Sequence, residues 1–153
     1  MKWKHPPTIK IYEAIGAVAD GRVEVSENSA KVYSSTRNKC YDVTYDPDAH
    51  AIMSNDNGSF WKGYIGYPAI AFLLKKGVVS YSDEAGKSLA GIAWKDINQK
   101  FKNDFDKALG HILSSKTPEE KELLADLVAK VDSELKDLNL SALGSRKKPP
   151  EGY

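Results

Sequence analysis

Between Val23 and Met53, short runs of alternating apolar and polar residues are separated by turn-forming ones, a pattern that one helical face cannot satisfy. Val23 and Val25 mark a first strand, and Glu27-Asn28 a turn. Ala30 and Val32 point one way in the second strand, with Lys31 and Tyr33 pointing the other. After the polar loop Ser34 to Asn38, Tyr41, Val43 and Tyr45 alternate with Cys40, Asp42 and Thr44. Asp46-Pro47-Asp48 is turn chemistry, and Ala51-Ile52-Met53 gives a short fourth strand. Four consecutive strands joined by short turns predict a small antiparallel meander.

Helices flank it. After Pro6-Pro7, Ile9, Ile11, Tyr12, Ile15 and Val18 predict a first helix that Gly21 stops. Pro68 suits the first turn of a helix carrying Ile70, Phe72, Leu73 and Leu74 up to Gly77. A weak helix is expected over 83–90. A strong one is expected from about Trp94 to Ser114, on Trp94, Ile97, Phe101, Phe105, Ala108 and Ile112. The fold class is therefore α+β, a four-stranded antiparallel meander packed with helices.

The last helix opens with a capping box, Thr117-Pro118-Glu119-Glu120. Leu124, Val128, Val131, Leu135 and Leu138 then step by four, three, four and three, a period of 3.5 that keeps a leucine-zipper-like seam on one side. That seam predicts self-association as a dimer or larger assembly. The organisation expected is an α+β domain over 1–116, an oligomerisation helix over 117–140 and a flexible basic tail over 141–153.

Composition bounds the function. The chain has 153 residues, 41% hydrophobic and 28% charged, enough for a core without staples. Cys40 is the single cysteine, so no intrachain disulfide forms. No apolar run approaches the ~18 residues of a membrane span, and Met1 to Pro7 has no apolar signal core, so the expected address is the cytoplasm. The net charge of +1 hides an asymmetry: residues 1–116 carry 16 cations against 13 acids, and residues 117–145 carry 3 against 7. Two stretches hold no acid, 28–41 with Lys31, Arg37 and Lys39, and 57–82 with Lys62, Lys75 and Lys76.

Catalytic signatures are absent: no GxGxxG, Walker loop, GxSxG or HExxH occurs, and neither a cofactor nor a resident metal is expected. Asp46, Asp48 and His50 offer oxygen and imidazole donors, but Asp-Pro-Asp is what a hairpin turn selects. Asn55-Asp56-Asn57-Gly58 is like part of a calcium loop without the closing acid. The aromatic segments say more. Phe60, Trp61, Tyr64 and Tyr67 lie in a glycine-broken loop inside an acid-free, lysine-bearing window. Rings that stack bases beside cations that hold phosphates are what single-stranded nucleic acid requires. Phe60, Trp61, Tyr64, Tyr67, Tyr33 and Tyr41 are the expected stacking or cleft residues, and Arg37, Lys39, Lys62, Lys31 and Lys75 the expected phosphate contacts.

The order of parts resembles the ThermoDBP-related single-stranded-DNA-binding proteins of hyperthermophilic archaea, which do not use an OB-fold. The resemblance covers about Ile9 to Leu140 and rests on element order, on Tyr33-Ser34-Ser35-Thr36-Arg37-Asn38-Lys39 and Phe60-Trp61-Lys62-Gly63-Tyr64, and on the zipper residues. It implies non-catalytic, sequence-independent binding of single-stranded DNA, with RNA as an alternative, in a hydrophobic cleft flanked by basic residues. Many single-strand binders end in an acidic tail, whereas this chain ends in a basic one. Two other readings stand beside it: a protein-interaction adaptor using the zipper and the aromatic loop, and a small nuclease using Asp46, Asp48 and His50 with a divalent ion.

Overall fold

Pro7 holds extended backbone ahead of helix α1, which spans Thr8–Ala19 in the computed structural model describing residues 1–151. Gly21 follows its end at φ +69°, the left-handed stop that the sequence predicts. Ile9, Ile11, Tyr12, Ala14, Ile15 and Ala17 are all buried, so α1 is a central helix and not a surface one. Against it lies α2 (Tyr67–Lys76), which carries Pro68 in its first turn and is closed by Gly77 at φ +84°. Residues Pro68 to Leu74 are buried without a break because α2 is sandwiched between α1 and the sheet.

The meander forms as β1 (Val23–Ser26), β2 (Ser29–Tyr33), β3 (Cys40–Asp46) and β4 (Ala51–Ser54), each antiparallel to the next. Val32 stands opposite both Val23 and Tyr41, so the inward row of β2 continues across the sheet. The sheet has five strands and not four. Asn139 turns left-handed (φ 47°) and Leu140 buries, which lays β5 (Ser141–Ala142) parallel to β4. Sequence periodicity misses a two-residue strand, but the edge of β4 needs a cover. Ser141 N donates to His50 O (2.9 Å) and Leu143 N to Ile52 O (3.1 Å). The amino terminus closes over the same place: Ala142 N donates to Met1 O (2.7 Å) and Trp3 Nε1 to Ile52 O (2.8 Å). The tail expected to be flexible from residue 141 is thus held down at its start, and Arg146 Nη1 reaches Phe60 O at 3.1 Å. Gly152 and Tyr153 lie outside the described residues.

Two expectations about helices change. The long helix of 94–114 is broken into α4 (Trp94–Lys100) and α5 (Phe105–Leu113). Lys102 and Asn103 take positive φ, and Asp104 caps α5 by accepting from Lys107 N at 3.2 Å. Between α2 and α4, Ser82 caps the short α3 (Asp83–Gly86), followed by a single tight turn at Lys87–Leu89. The second change concerns α6 (Pro118–Leu138). Its capping box is present: Glu120 N donates to Thr117 Oγ1 (3.1 Å) and Thr117 N to Glu120 Oε1 (3.0 Å). However, Leu124, Val128, Val131 and Leu135 are buried in the chain's own core, and Leu138 is half-buried against it. They face α1 and α3, with Ser80 N donating to Glu134 Oε2 at 2.7 Å to fix the helix further. The seam expected to meet a partner helix therefore closes this fold, and α6 belongs to the same core as the rest. Over two heptads a 3.5 repeat drifts from a 3.6 stripe by only about 40°, so the spacing fits either use.

Among the described residues no helix is long and apolar enough to cross a membrane. Leu124→Ala should cost about 2–5 kcal/mol in urea unfolding, with a midpoint independent of protein concentration. A concentration-dependent midpoint would return the seam to a partner helix.

Candidate functional site

The chain leaves β4 through Ser54 and at once buries a carboxylate. Asp56 accepts from Ser54 Oγ (2.6 Å), Ser59 Oγ (2.7 Å) and Ser59 N (3.1 Å). Burial pushes its pKa above the ordinary 3.8 even though these hydrogen bonds pull the other way. Gly66 N donates to Ser59 Oγ at 3.2 Å, which ties the far end of the loop to the same group. A side chain at Gly66 would put its Cβ 1.9 Å from Asp56 Oδ2, so only glycine lets the backbone pass the carboxylate.

Around this anchor the loop makes one wide helical turn over Gly58–Lys62, closed by Gly63 N donating to Gly58 O at 3.0 Å. Lys4 grips it from the amino terminus: Lys4 N donates to Gly63 O (2.9 Å) and Ile65 N to Lys4 O (3.3 Å). The turn holds Trp61 out at 65% exposure, with Phe60 edge-on to it at 4.7 Å between ring centroids. Tyr64 folds over Gly58, and Tyr67, the first residue of α2, meets Tyr41 of β3 edge-on at 6.1 Å. Burial raises the Tyr41 phenol to about 12, with the Asp56 carboxylate adding to the shift. Burial likewise holds the Tyr67 phenol well above 10.0. Both remain neutral hydrogen-bond donors at physiological pH.

Tyr41, Trp61, Tyr64 and Tyr67 line one cleft of about 660 Å³, the size of a small-molecule site. Its floor is polar. Lys10 Nζ lies 2.9 Å from Glu13 Oε2, and Asn98 Nδ2 donates to Glu13 Oε1. Burial works to lower the Lys10 pKa, but the Glu13 carboxylate, with Tyr64 and Asp56 adding to it, holds the ammonium above 10.5. The same ammonium sits 4.6 Å from the centre of the Phe105 ring. Arg22, at the head of β1, is 2% exposed and forms part of the wall. Five cationic side chains line the cleft (Lys10, Arg22, Lys39, Lys62 and Lys95) against two carboxylates, Glu13 and Asp56.

The two acid-free windows meet here. Lys39 and Tyr41 come from the first, and Trp61, Lys62, Tyr64 and Tyr67 from the second. The other expected contacts lie elsewhere. Lys31 pairs with Asp42 (2.9 Å), and the Tyr33 hydroxyl reaches Glu24 (3.4 Å), both on the outer face of the sheet. Arg37 Nη2 donates to Asp20 O at 3.3 Å, and Phe60 backs Trp61 without lining the cleft. Lys75 is eight residues along α2 from Tyr67, about 12 Å down the axis. Asp46 Oδ1 accepts from Asp48 N (3.0 Å) and Ala49 N (3.2 Å), so it builds its turn. No group of three metal-ligating side chains is present among the described residues.

Sequence reasoning misses Lys10, Glu13, Arg22, Asp56, Asn98 and Phe105. A signal for Glu13 exists: it is the one carboxylate of a mostly apolar helix, set between Tyr12 and Ala14. Asn98 is a helical residue of no distinctive type, and only the fold brings it to Glu13.

The raised Asp56 pKa has a testable sign. A carboxyl whose folded value exceeds its unfolded one stabilises the fold most at low pH and loses that contribution as pH rises through the raised value. Relative to Asp56→Asn, the wild-type melting temperature should therefore fall as pH is raised from about 3.8 towards neutrality. A difference that stays flat with pH would show that this carboxyl titrates normally.

No curated protein and no solved structure matches the chain. The family model described as Uncharacterised conserved protein UCP014422 matches residues 3–141, a span containing every residue that lines the cleft. The chain belongs to that family.

Proposed function

We propose that the protein is a non-catalytic binder of single-stranded nucleic acid that takes one unstacked nucleotide unit into the aromatic cleft. The observation that carries this reading is the convergence of the two acid-free windows on one opening, with Trp61 exposed at its rim and Lys39 and Lys62 beside it. A base entering the cleft meets the faces or edges of Tyr41, Tyr64, Tyr67 and Trp61. Its phosphates stay near the lysines at the mouth, where solvated ammonium groups act as point charges. Stacking does not distinguish bases strongly, so the binding is tolerant of sequence. A duplex offers no free base to such a cleft, and the preference is for single strands.

The cleft is short. At about 660 Å³ it accommodates one or two nucleotides and not a long tract. Affinity for an isolated strand is therefore modest and strongly dependent on salt. The cationic excess lies inside the cleft, while Lys31 is compensated by Asp42 on the outer face of the sheet.

The experiment is fluorescence anisotropy of labelled single- and double-stranded oligonucleotides at several salt concentrations. Trp61→Ala should weaken single-strand binding by about 1–3 kcal/mol, similarly for different bases. Lys62→Ala should lower the salt slope by about 0.7. Lys31→Ala should leave both unchanged. Absence of single-strand binding at low salt would overturn the proposal.

A further inference from the structure

The Arg22 guanidinium is buried and charged, yet its hydrogen bonding is incomplete. Nε donates to Asp20 Oδ2 at 3.1 Å and Nη1 to Tyr33 O at 2.7 Å. Nη2 has no partner among the described residues, although the residue is 2% exposed. A buried cationic N–H without an acceptor is costly. The two bonds that are made fix the plane of the group and so the direction in which the remaining nitrogen points. Arg22 is also a wall residue of the cleft.

Its neighbours fit an oxyanion. Lys10 is paired with Glu13 at 2.9 Å and Arg22 with Asp20 at 3.1 Å, but Arg22 keeps donor capacity to spare at Nη2. Ser35 Oγ, also in the wall, accepts from Lys95 N at 3.1 Å and keeps its own proton for an acceptor. The neutral Tyr67 phenol borders the same space.

We infer that Arg22 Nη2, with the Ser35 hydroxyl, forms the recognition point for a terminal phosphate monoester, so that the cleft selects a phosphorylated strand end or a free nucleoside monophosphate. This rests on the nucleotide-binding reading above. An internal phosphodiester needs the chain to continue on both sides, whereas Arg22 is a buried residue in the wall of a cleft of about 660 Å³. A monoester ends the chain and carries a second negative charge and an additional terminal oxygen for a fixed donor.

The test compares one oligothymidylate carrying a 5′-phosphate, a 3′-phosphate or hydroxyls at both ends, alongside thymidine monophosphate and thymidine. A phosphate at one end should raise affinity by about tenfold or more, and Arg22→Lys should reduce that preference to about twofold or less. Because Arg22 also holds the Tyr33 carbonyl, the wild-type comparison carries the test if the variant fails to fold. Strands that bind equally well whatever their ends would overturn the inference and leave single-strand binding standing. If no strand binds but thymidine monophosphate raises the melting temperature where thymidine does not, the phosphate subsite stands and the strand reading falls. If the monophosphate has no more effect than thymidine and no strand binds, both are overturned.

Discussion

The carboxylate of Asp56 is the constraint on which the rest of the site depends. It is buried at the point where the sheet gives way to the aromatic loop, and its oxygens draw in two serine hydroxyls and a backbone amide. A carboxylate in that position must be satisfied locally, because removing it from water without partners costs more than the loop gains by closing. Satisfying it bends the chain from Ser54 back to Ser59. Through Ser59 the same network reaches Gly66 and so sets where α2 begins. The placement of Tyr67, the first residue of α2, follows from that start.

The loop is held from outside by the two ends of the chain. Lys4 pairs with Gly63 and Ile65, Arg146 donates to Phe60, and both arms are joined across β5 by Ala142 and Met1. The cover of the sheet edge is therefore continuous with the brace of the aromatic loop. A short parallel strand that adds little pairing of its own matters because it fixes the arms. The basic tail residue Arg146 is used here against a backbone carbonyl and a methionine sulfur.

Much of this fold is legible in the sequence, for local reasons. The strand period in 23–53, the left-handed glycines 21 and 77 and the Thr117–Glu120 box each act within a few residues of themselves. What escapes is set by tertiary contact. The stripe Leu124 to Leu138 says that one face is apolar and does not say whether α1 or a second chain covers it. The run Trp94 to Ile112 keeps helical rhythm across a break that only Lys102, Asn103 and Asp104 reveal, and those are ordinary surface residues elsewhere. For the site, the acid-free windows indicate two of its walls. The floor of Lys10, Glu13 and Asn98 comes from elements 85 residues apart at the Asn98–Glu13 bond, a separation at which composition carries no signal.

The exposure of Trp61 takes its meaning from this framework. A large ring at 65% exposure on a free loop is a weak contact, because ordering the loop on binding costs much of what the contact gains. Here the turn beneath it is closed by its own hydrogen bond at Gly58 and Gly63, anchored inside by Asp56 and clasped outside by Lys4 and Arg146. Phe60 supports the ring edge-on from behind. Most of the ordering cost is met in folding, so the area Trp61 offers is available to a ligand. The same reasoning separates Trp61 from the lysines at the rim. Their side chains lose rotamer freedom when they engage, and they contribute attraction at a distance more than contact. The ring and the buried guanidinium of Arg22 are thus the pre-set elements of the cleft, to which the proposed reading assigns a planar group and an oxyanion.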